Sequence, residues 1–276
     1  TRTQQSDLLL AAYASHGDTK HVLLFPATPK ESFDMMADAF DYAEFLQTPV
    51  IVMMDLDLGM NDHMTPPLTW DHNRKYNRGK VLSAEELDKI TSWGRYRDTD
   101  GDGIPYRTLP ATHPTKGSYF TRGSSHDENA AYSEDSPTYV RIMDRLVRKL
   151  QTAANVIPGP IYYQDSNKAD TGIIFFGTSA YSCEESLDIL RDEGFKIDAM
   201  RLRAFPFSDE VKKFITEHER VFVVEQNRDA QMRTLLINEL EINPAKLTKI
   251  LNYDGTPITA EMVLRQIRQY SFQPAN

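Results

Sequence analysis

Cysteine is nearly absent: Cys183 stands alone among 276 residues. One thiol excludes an internal disulfide and any cysteine-ligated cluster held by this chain alone. That usage points to the cytoplasm. Long hydrophobic runs are missing as well. The longest, VIVMM and IIFF, are strand-sized, so no segment reads as a transmembrane helix and no membrane partner is expected. There is no basic block. The net charge is −9, which argues against nucleic acid as a partner. A glycine-rich phosphate loop is also lacking, since FFGTSAYS carries only Gly177 after a strand pattern. This weakens a nucleotide-binding regulatory reading.

What is present alternates between strand and helix. SDLLLAAYASHG reads as a short helix closed by Gly17, and HVLLFP (21–26) as a buried strand. In the next segment Thr28 is placed to cap a helix, Pro29 suits its first position, and Glu31 completes a capping box. Phe33, Met36, Ala37, Phe40 and Ala43 then share one helical face, the expected buried one. TPVIVMMD follows as a second strand. Strand, helix, strand is a βαβ unit and implies a parallel sheet. Asp55 and Asp57 fall just past its carboxyl end, where open α/β sheets tend to bind ligands.

Residues 58–135 are irregular, apart from one short capped helix at SAEELDKIT, and longer than a passive loop usually is. A long helix resumes with Ser136 as cap, Pro137 in the first turn, and Val140, Met143, Leu146, Val147 and Leu150 as an apolar stripe. NVIPGP reads as a boundary. Beyond it, TGIIFFG, KIDAMRL, RVFVVE and KLTKILNY alternate with helical patterns, the first carrying a capping box from Ser182 to Glu185. Four βα units predict a mostly parallel three-layer α/β domain.

Several stretches carry chemistry-capable residues. In DTDGDG, Asp98, Asp100 and Asp102 with Gly103 match the start of a calcium-binding loop, but the twelfth position is Leu109 where a bidentate Glu belongs. An Asp/Gly-rich turn is the competing reading. No metal is therefore assigned, and these three aspartates stand as the only candidates. His63, His72, Asp62 and Asp71 match no ligand spacing, and His113 and His126 have no visible acid or nucleophile partner. Cys183 lies near a helix start but reads as a buried structural residue. Glu225, Gln226 and Asn227 end a strand pattern at the edge where parallel sheets bind ligands; a polar turn with Asn227 or Asp229 as helix cap is the alternative.

The stretches TRTQQSDLL, FPATPKESFDMMADAFDYAEFLQTPVIVMMD, DGDGIPYRTLPATHPTKGSYFTRG and VVEQNRDAQMRTLLI spread over nearly the whole chain. Together they resemble the α subunit of 2-oxoacid:ferredoxin oxidoreductases, most closely the 2-oxoglutarate type. The resemblance implies the C-terminal part of such a subunit. Residues 1–65 would be the end of a thiamine-enzyme pyrimidine-type domain, 66–157 an irregular connection with helices, and 158–276 a domain similar to the transketolase C-terminal domain. It also implies oxidative decarboxylation of a 2-oxoacid to an acyl-coenzyme A, with electrons passed to ferredoxin. Thiamine diphosphate, Mg and an iron–sulfur cluster are expected in a partner β subunit, so this chain alone would be inactive and would position substrate and scaffold the complex. The family position matching Arg2 binds the 2-oxoacid carboxylate, for which a guanidinium offers a planar fork of donors. A homodimer is a further expectation. Two alternatives remain: another thiamine-dependent enzyme subunit, and a non-catalytic assembly module with a structural ion in DTDGDG.

Overall fold

Thr171–Phe176 shows how the central strand is made. Its β-branched and aromatic residues are buried on both faces, with Ile173 and Phe175 entering one core cluster and Ile174 and Phe176 another. A strand covered on both sides belongs inside a parallel sheet. The computed structural model describes residues 2–123, 125–165 and 169–271. In chain order its elements are α1 (Leu8–Tyr13), β1 (Val22–Leu24), α2 (Pro29–Leu46), β2 (Val50–Val52), α3 (Leu56–Met60), α4 (Ala84–Lys89) and α5 (Ser136–Val156). They continue with β3 (Ile161–Tyr163), β4 (Thr171–Phe176), α6 (Ser179–Asp192), β5 (Ile197–Leu202), β6 (Ala204–Phe205) and α7 (Asp209–Glu217). The last are β7 (Arg220–Glu225), α8 (Gln231–Leu240), β8 (Leu247–Leu251) and α9 (Ala260–Ser271).

The strands form two sheets. One has the order β3-β5-β4-β7-β8, parallel except for the edge strand β3. The other is β2-β1-β6, with β1 and β2 parallel and β6 antiparallel to β1. The mixed α/β architecture with parallel sheets is the one expected. The antiparallel strands β3 and β6 have no counterpart in the sequence patterns, being too short to show a period. One core cluster lies between the sheets, joining Leu23 and Phe25 to Phe176, Met200 and Val223, with α1, α7 and α8 packed into it. A second lies under α6 and α9, and a third between α2 and the small sheet. Among the described residues no helix is long and apolar enough to cross a membrane.

Several helices differ from the sequence expectation. On α2 the buried residues are Met35, Ala37, Ala39 and Leu46, whereas Met36 and Phe40 are exposed. The outward aromatics instead hold the irregular connection: Phe33 meets Trp70 and Phe40 meets Tyr76 edge to face. On α5 the cap is Asp135, one residue before the expected Ser136. Its buried positions include Ile142, Arg145, Lys149 and Ala153, while Val140 and Val147 of the apolar stripe face outward. The helix α6 starts at Ser179, so Ser182 lies inside it and donates to the Ile258 carbonyl at 2.5 Å rather than capping. The short helix α4 carries a complete box between Ser83 and Glu86.

The start of α2 ties the two sheets together. Thr28 accepts the Glu31 N–H at 3.1 Å, as the capping pattern requires. The Glu31 carboxylate reaches past the cap to the Ala27 N–H at 2.9 Å. It also takes both terminal nitrogens of buried Arg201 on β5, at 2.9 and 2.6 Å. Burial pushes the Glu31 carboxyl up, but the Arg201 bonds, the Ala27 N–H and the charges of Arg201 and Arg203 outweigh it and hold it below the usual carboxylate range. A lowered carboxyl stabilises the fold above its unfolded value, roughly pH 4, and that contribution fades as pH falls through the folded value. Glu31→Ala should cost about 3–5 kcal/mol by stranding the buried guanidinium. Thermal melts from pH 7 to pH 3 should show a shallower acid loss in the variant than in the parent.

Candidate active-site edge

The carboxyl ends of β2, β4 and β7 converge, and residues 2–7 run across them. The anchor of this segment is Gln5, which is 6% exposed. Its amide donates to Asp55 Oδ2 at 3.2 Å and to the Phe176 carbonyl at 3.1 Å. Its side-chain oxygen accepts from Ser179 Oγ at 3.0 Å and from the Gln226 N–H at 3.3 Å. The Gln5 backbone donates to Gln226 O at 2.8 Å and accepts from Asn227 Nδ2 at 3.0 Å. Gly177 makes this approach available: it has φ 55°, and a β-carbon there would come within 3.0 Å of Gln5 Nε2.

Around Gln5 the polar groups satisfy one another. Thr178 donates its hydroxyl to Asp55 at 2.5 Å. Gln226 donates to Thr178 and Ser179, both at 3.2 Å, and accepts the Ile258 N–H at 3.1 Å. Asp55 also caps α3 by accepting the Leu58 N–H. Thr3 accepts the Asp57 N–H at 3.2 Å and donates its own N–H to the Gly255 carbonyl at 3.3 Å, so the segment is pinned immediately after Arg2 as well as at Gln5. Burial and the neighbouring Asp55 charge raise the Asp57 carboxyl, against the opposing pull of His63 and Asn61. His63 stacks on Tyr181 with ring centroids 5.8 Å apart, which brings it to this edge although its sequence spacing shows no such role.

The other sequence-selected residues are placed as follows. Arg2 is exposed, its aliphatic stem lies over Gly255, and no carboxylate pairs with it within ion-pair distance among the described residues. The Asp254 carboxyl beside it is held low, first by its bonds to Thr256 and last by the Arg2 charge. Glu225 is fully buried and turned away from the open edge. It accepts the Met232 and Arg233 N–H groups at 2.7 and 2.9 Å, serving the start of α8, and also binds Asn227 Nδ2 at 2.7 Å. Burial raises the Glu225 carboxyl, and these donors oppose the rise. Asn227 is buried and bonded to Gln5, so both residues hold the edge together from beneath.

The DTDGDG loop lies elsewhere, against α5. Lys80 Nζ binds Asp100 at 2.7 Å and Asp102 at 2.7 and 2.8 Å, and Arg148 binds Asp98 at 3.1 Å. The protein's own ammonium thus stands among the carboxylates that calcium would need. Gly103 is required there because a β-carbon would strike the Lys149 backbone nitrogen at 2.3 Å. Among the described residues no three His, Cys, Asp or Glu side chains group as metal ligands. His72, Asp62 and Asp71 are exposed. Cys183 is on the buried face of α6, and burial pushes its thiol well above the usual range. The residues that sequence reasoning left out of the site are Gln5, Thr178 and Ser179; Gln226 was placed at the edge, though not as a partner of Gln5. Gln5 lay in the quoted TRTQQSD, but its pairing with Gln226 is long-range and has no local pattern.

Residues 1–95 match the family described as pyruvate flavodoxin/ferredoxin oxidoreductase, thiamine diphosphate-binding, and residues 169–263 match pyruvate:ferredoxin oxidoreductase core domain II. The chain is 29% identical over 264 residues to the α subunit of 2-oxoacid:ferredoxin oxidoreductase 2 of Aeropyrum pernix, covering 94% of this chain and 39% of that protein. It is 27% identical over 234 residues to the 2-oxoglutarate synthase subunit KorA of Methanocaldococcus jannaschii, covering 82% of this chain and 58% of that one. In fold it is similar to 2-oxoglutarate:ferredoxin oxidoreductase of Magnetococcus marinus, solved with 2-oxoglutarate, coenzyme A and succinyl-CoA bound. That likeness has a TM-score of 0.82 at 23% identity and spans 98% of this chain and 45% of that chain. The chain therefore spans between about two fifths and three fifths of the length of these relatives.

Two measurements check the geometry. Gln5→Leu, which removes the amide and leaves its buried partners unpaired, should destabilise by about 2–4 kcal/mol in denaturant melts. Calcium should leave the melting temperature unchanged in the parent, whereas Lys80→Met should lower it by a few degrees. A calcium-dependent rise in the parent would place an ion in the loop.

Proposed function

We propose, from the premise that this chain belongs to the 2-oxoacid:ferredoxin oxidoreductase α-subunit family, that it forms part of an enzyme converting a 2-oxoacid and coenzyme A to an acyl-coenzyme A. Carbon dioxide is released and two electrons go to ferredoxin. Within that enzyme the chain presents Arg2 to the substrate carboxylate and scaffolds the complex. The observation that carries this reading is the placement of Arg2: a free guanidinium held at the common carboxyl edge by Thr3 and Gln5 on its flank. A carboxylate arriving there would meet a permanently charged planar fork, and anchoring it would orient the adjacent keto carbon. The 2-oxoglutarate type is the finer reading, supported by the names of two relatives.

Thiamine diphosphate is the cofactor of the matched family and supplies the nucleophilic carbon when bound. The described edge does not fit the whole group. Asp55 is already engaged by Gln5 and Thr178, and among the described residues Asp55 and its neighbour Asp57 are joined by no third His, Cys, Asp or Glu that would complete a site for a metal-bound diphosphate. The partner β subunit is the proposed holder of the diphosphate, its Mg ion and the iron–sulfur cluster. Residues 1–65, 66–157 and 158–276 are the proposed domain divisions, and the cytoplasm the proposed compartment.

The test uses the full-length α subunit co-purified with its β subunit. Viologen reduction, dependent on coenzyme A, should be strongest with 2-oxoglutarate among a panel of 2-oxoacids. Arg2→Ala should lower kcat/KM roughly thirty- to thousand-fold, corresponding to about 2–4 kcal/mol for a lost charge-assisted anchor. Unchanged kinetics in the variant would remove Arg2 from the site. Absence of reduction with every 2-oxoacid would remove the redox function.

A further inference from the structure

A cavity of about 320 Å³ opens at the amino-terminal ends of β1 and β2, the opposite edge from Gln5. Thr19, which precedes β1, and Gln47, which ends α2, lie on its wall. Its floor is α5, and three cations enter it: Arg95, Arg145 and Lys149. Arg145 is 6% exposed and Lys149 8%. Burying charge without a counter-charge is costly, and well-packed apolar residues of similar size would generally do better. None of the three forms an ion pair among the described residues, and Asp18, the acidic residue on the wall, pairs with none of them.

What does hold the cations does not saturate their donors. The Arg95 and Arg145 guanidinium carbons lie 4.9 and 5.8 Å from the Tyr96 ring centroid. Tyr96 is itself stacked on His126 at 3.9 Å, so an aromatic ligand has no open face to stack on. Arg145 donates one nitrogen to the Gly103 carbonyl at 2.9 Å, and Lys149 has only a long contact of 3.4 Å to the Gln47 carbonyl. Nε and Nη1 of Arg95 and Nε of Arg145 are buried with no acceptor. Burial, then the charges of Arg145 and Arg95, bring the Lys149 amine down to about 8; the anion that acts on Arg145 is Asp98, which is already paired with Arg148.

We propose that this cavity binds a phosphate monoester, its dianionic head held by Arg95, Arg145 and Lys149. Tetrahedral oxygens can take N–H donors from several directions, which suits two guanidinium edges and an ammonium better than a planar carboxylate does. The volume corresponds to about ten waters at roughly 30 Å³ each, more than a bare phosphate fills. Ile142, Met143 and Leu146 line the remainder and suit the organic part of the ester.

Calorimetry on the full-length α subunit in complex with its partner tests this, with glycerol 3-phosphate and AMP as probes and glycerol and acetate as controls. One phosphate ester per α subunit should bind, the controls should not, and inorganic phosphate should compete. Arg95→Gln and Lys149→Met should each weaken binding at least tenfold. Arg95 is only half-buried, so its variant keeps the fold if that of Lys149 does not. Lack of heat with either ester and with phosphate overturns the proposal, as does equal binding by a folded Arg95→Gln protein. A structure of the complex in which a carboxylate of the partner subunit fills the cavity would also overturn it.

Discussion

The side-chain amide of Gln5 is the constraint on which the candidate site depends. One neutral group, with two donors and one acceptor oxygen, reaches the loop after β2, the end of β4, the start of α6 and the end of β7. A carboxylate could not donate and an ammonium could not accept, so the amide is the side chain that matches this mixed set of partners. Because the group is buried, each bond matters more for the cost of leaving it unmade than for its own worth. Arg2 owes its position to this anchoring, since residues 2–7 contain no strand of their own.

The same logic explains why Glu225 and Asn227 sit beneath the edge and do not line it. The first backbone N–H groups of α8 need acceptors, and Ala230, its cap residue, has no side-chain oxygen to offer. Glu225 supplies both acceptors from the preceding strand end. Asn227 then bridges that carboxylate to the Gln5 backbone. Order passes from the α8 terminus through Asn227 to the segment carrying Arg2. Polar residues at a strand end can thus be spent on holding the site, leaving the ligand contact to a neighbour.

The four parallel strands of the large sheet and its helices were legible because those strands are short, mostly apolar segments and the helices 3.6-residue patterns, each bounded by turn residues. Failures came where polarity and burial part company. On α2 the helical period marks the aromatic face as the core face, but Phe33 and Phe40 meet Trp70 and Tyr76 from the irregular connection, an element whose path carries no periodicity. On α5 the pattern is inverted, with Arg145 and Lys149 inside and Val147 outside. No hydrophobic stripe can report that, because the reason for burying the cations lies in Tyr96, Gly103 and the cavity. Of the site, Arg2 and Asp55 could be selected from sequence, the first through family resemblance and the second from its place after a strand. The Gln5–Gln226 contact spans most of the chain and leaves no local trace.

The short strand β6 follows β5 after a single residue, Arg203, yet belongs to the other sheet. Its pairing of Phe205 with Leu23 and Ala204 with Leu24 makes one polypeptide strand cross the boundary between the two layers. The Arg203 carbonyl, in the crossing itself, accepts the Phe25 N–H at 2.8 Å. Mechanically this is a tie-rod. The small sheet cannot swing away from the large one without breaking those rungs, so a load applied to β2 or its following loop reaches β5 through the backbone. The loops that follow β2 and β4, which Gln5 joins, are therefore carried on one stiff frame and not on two independent layers.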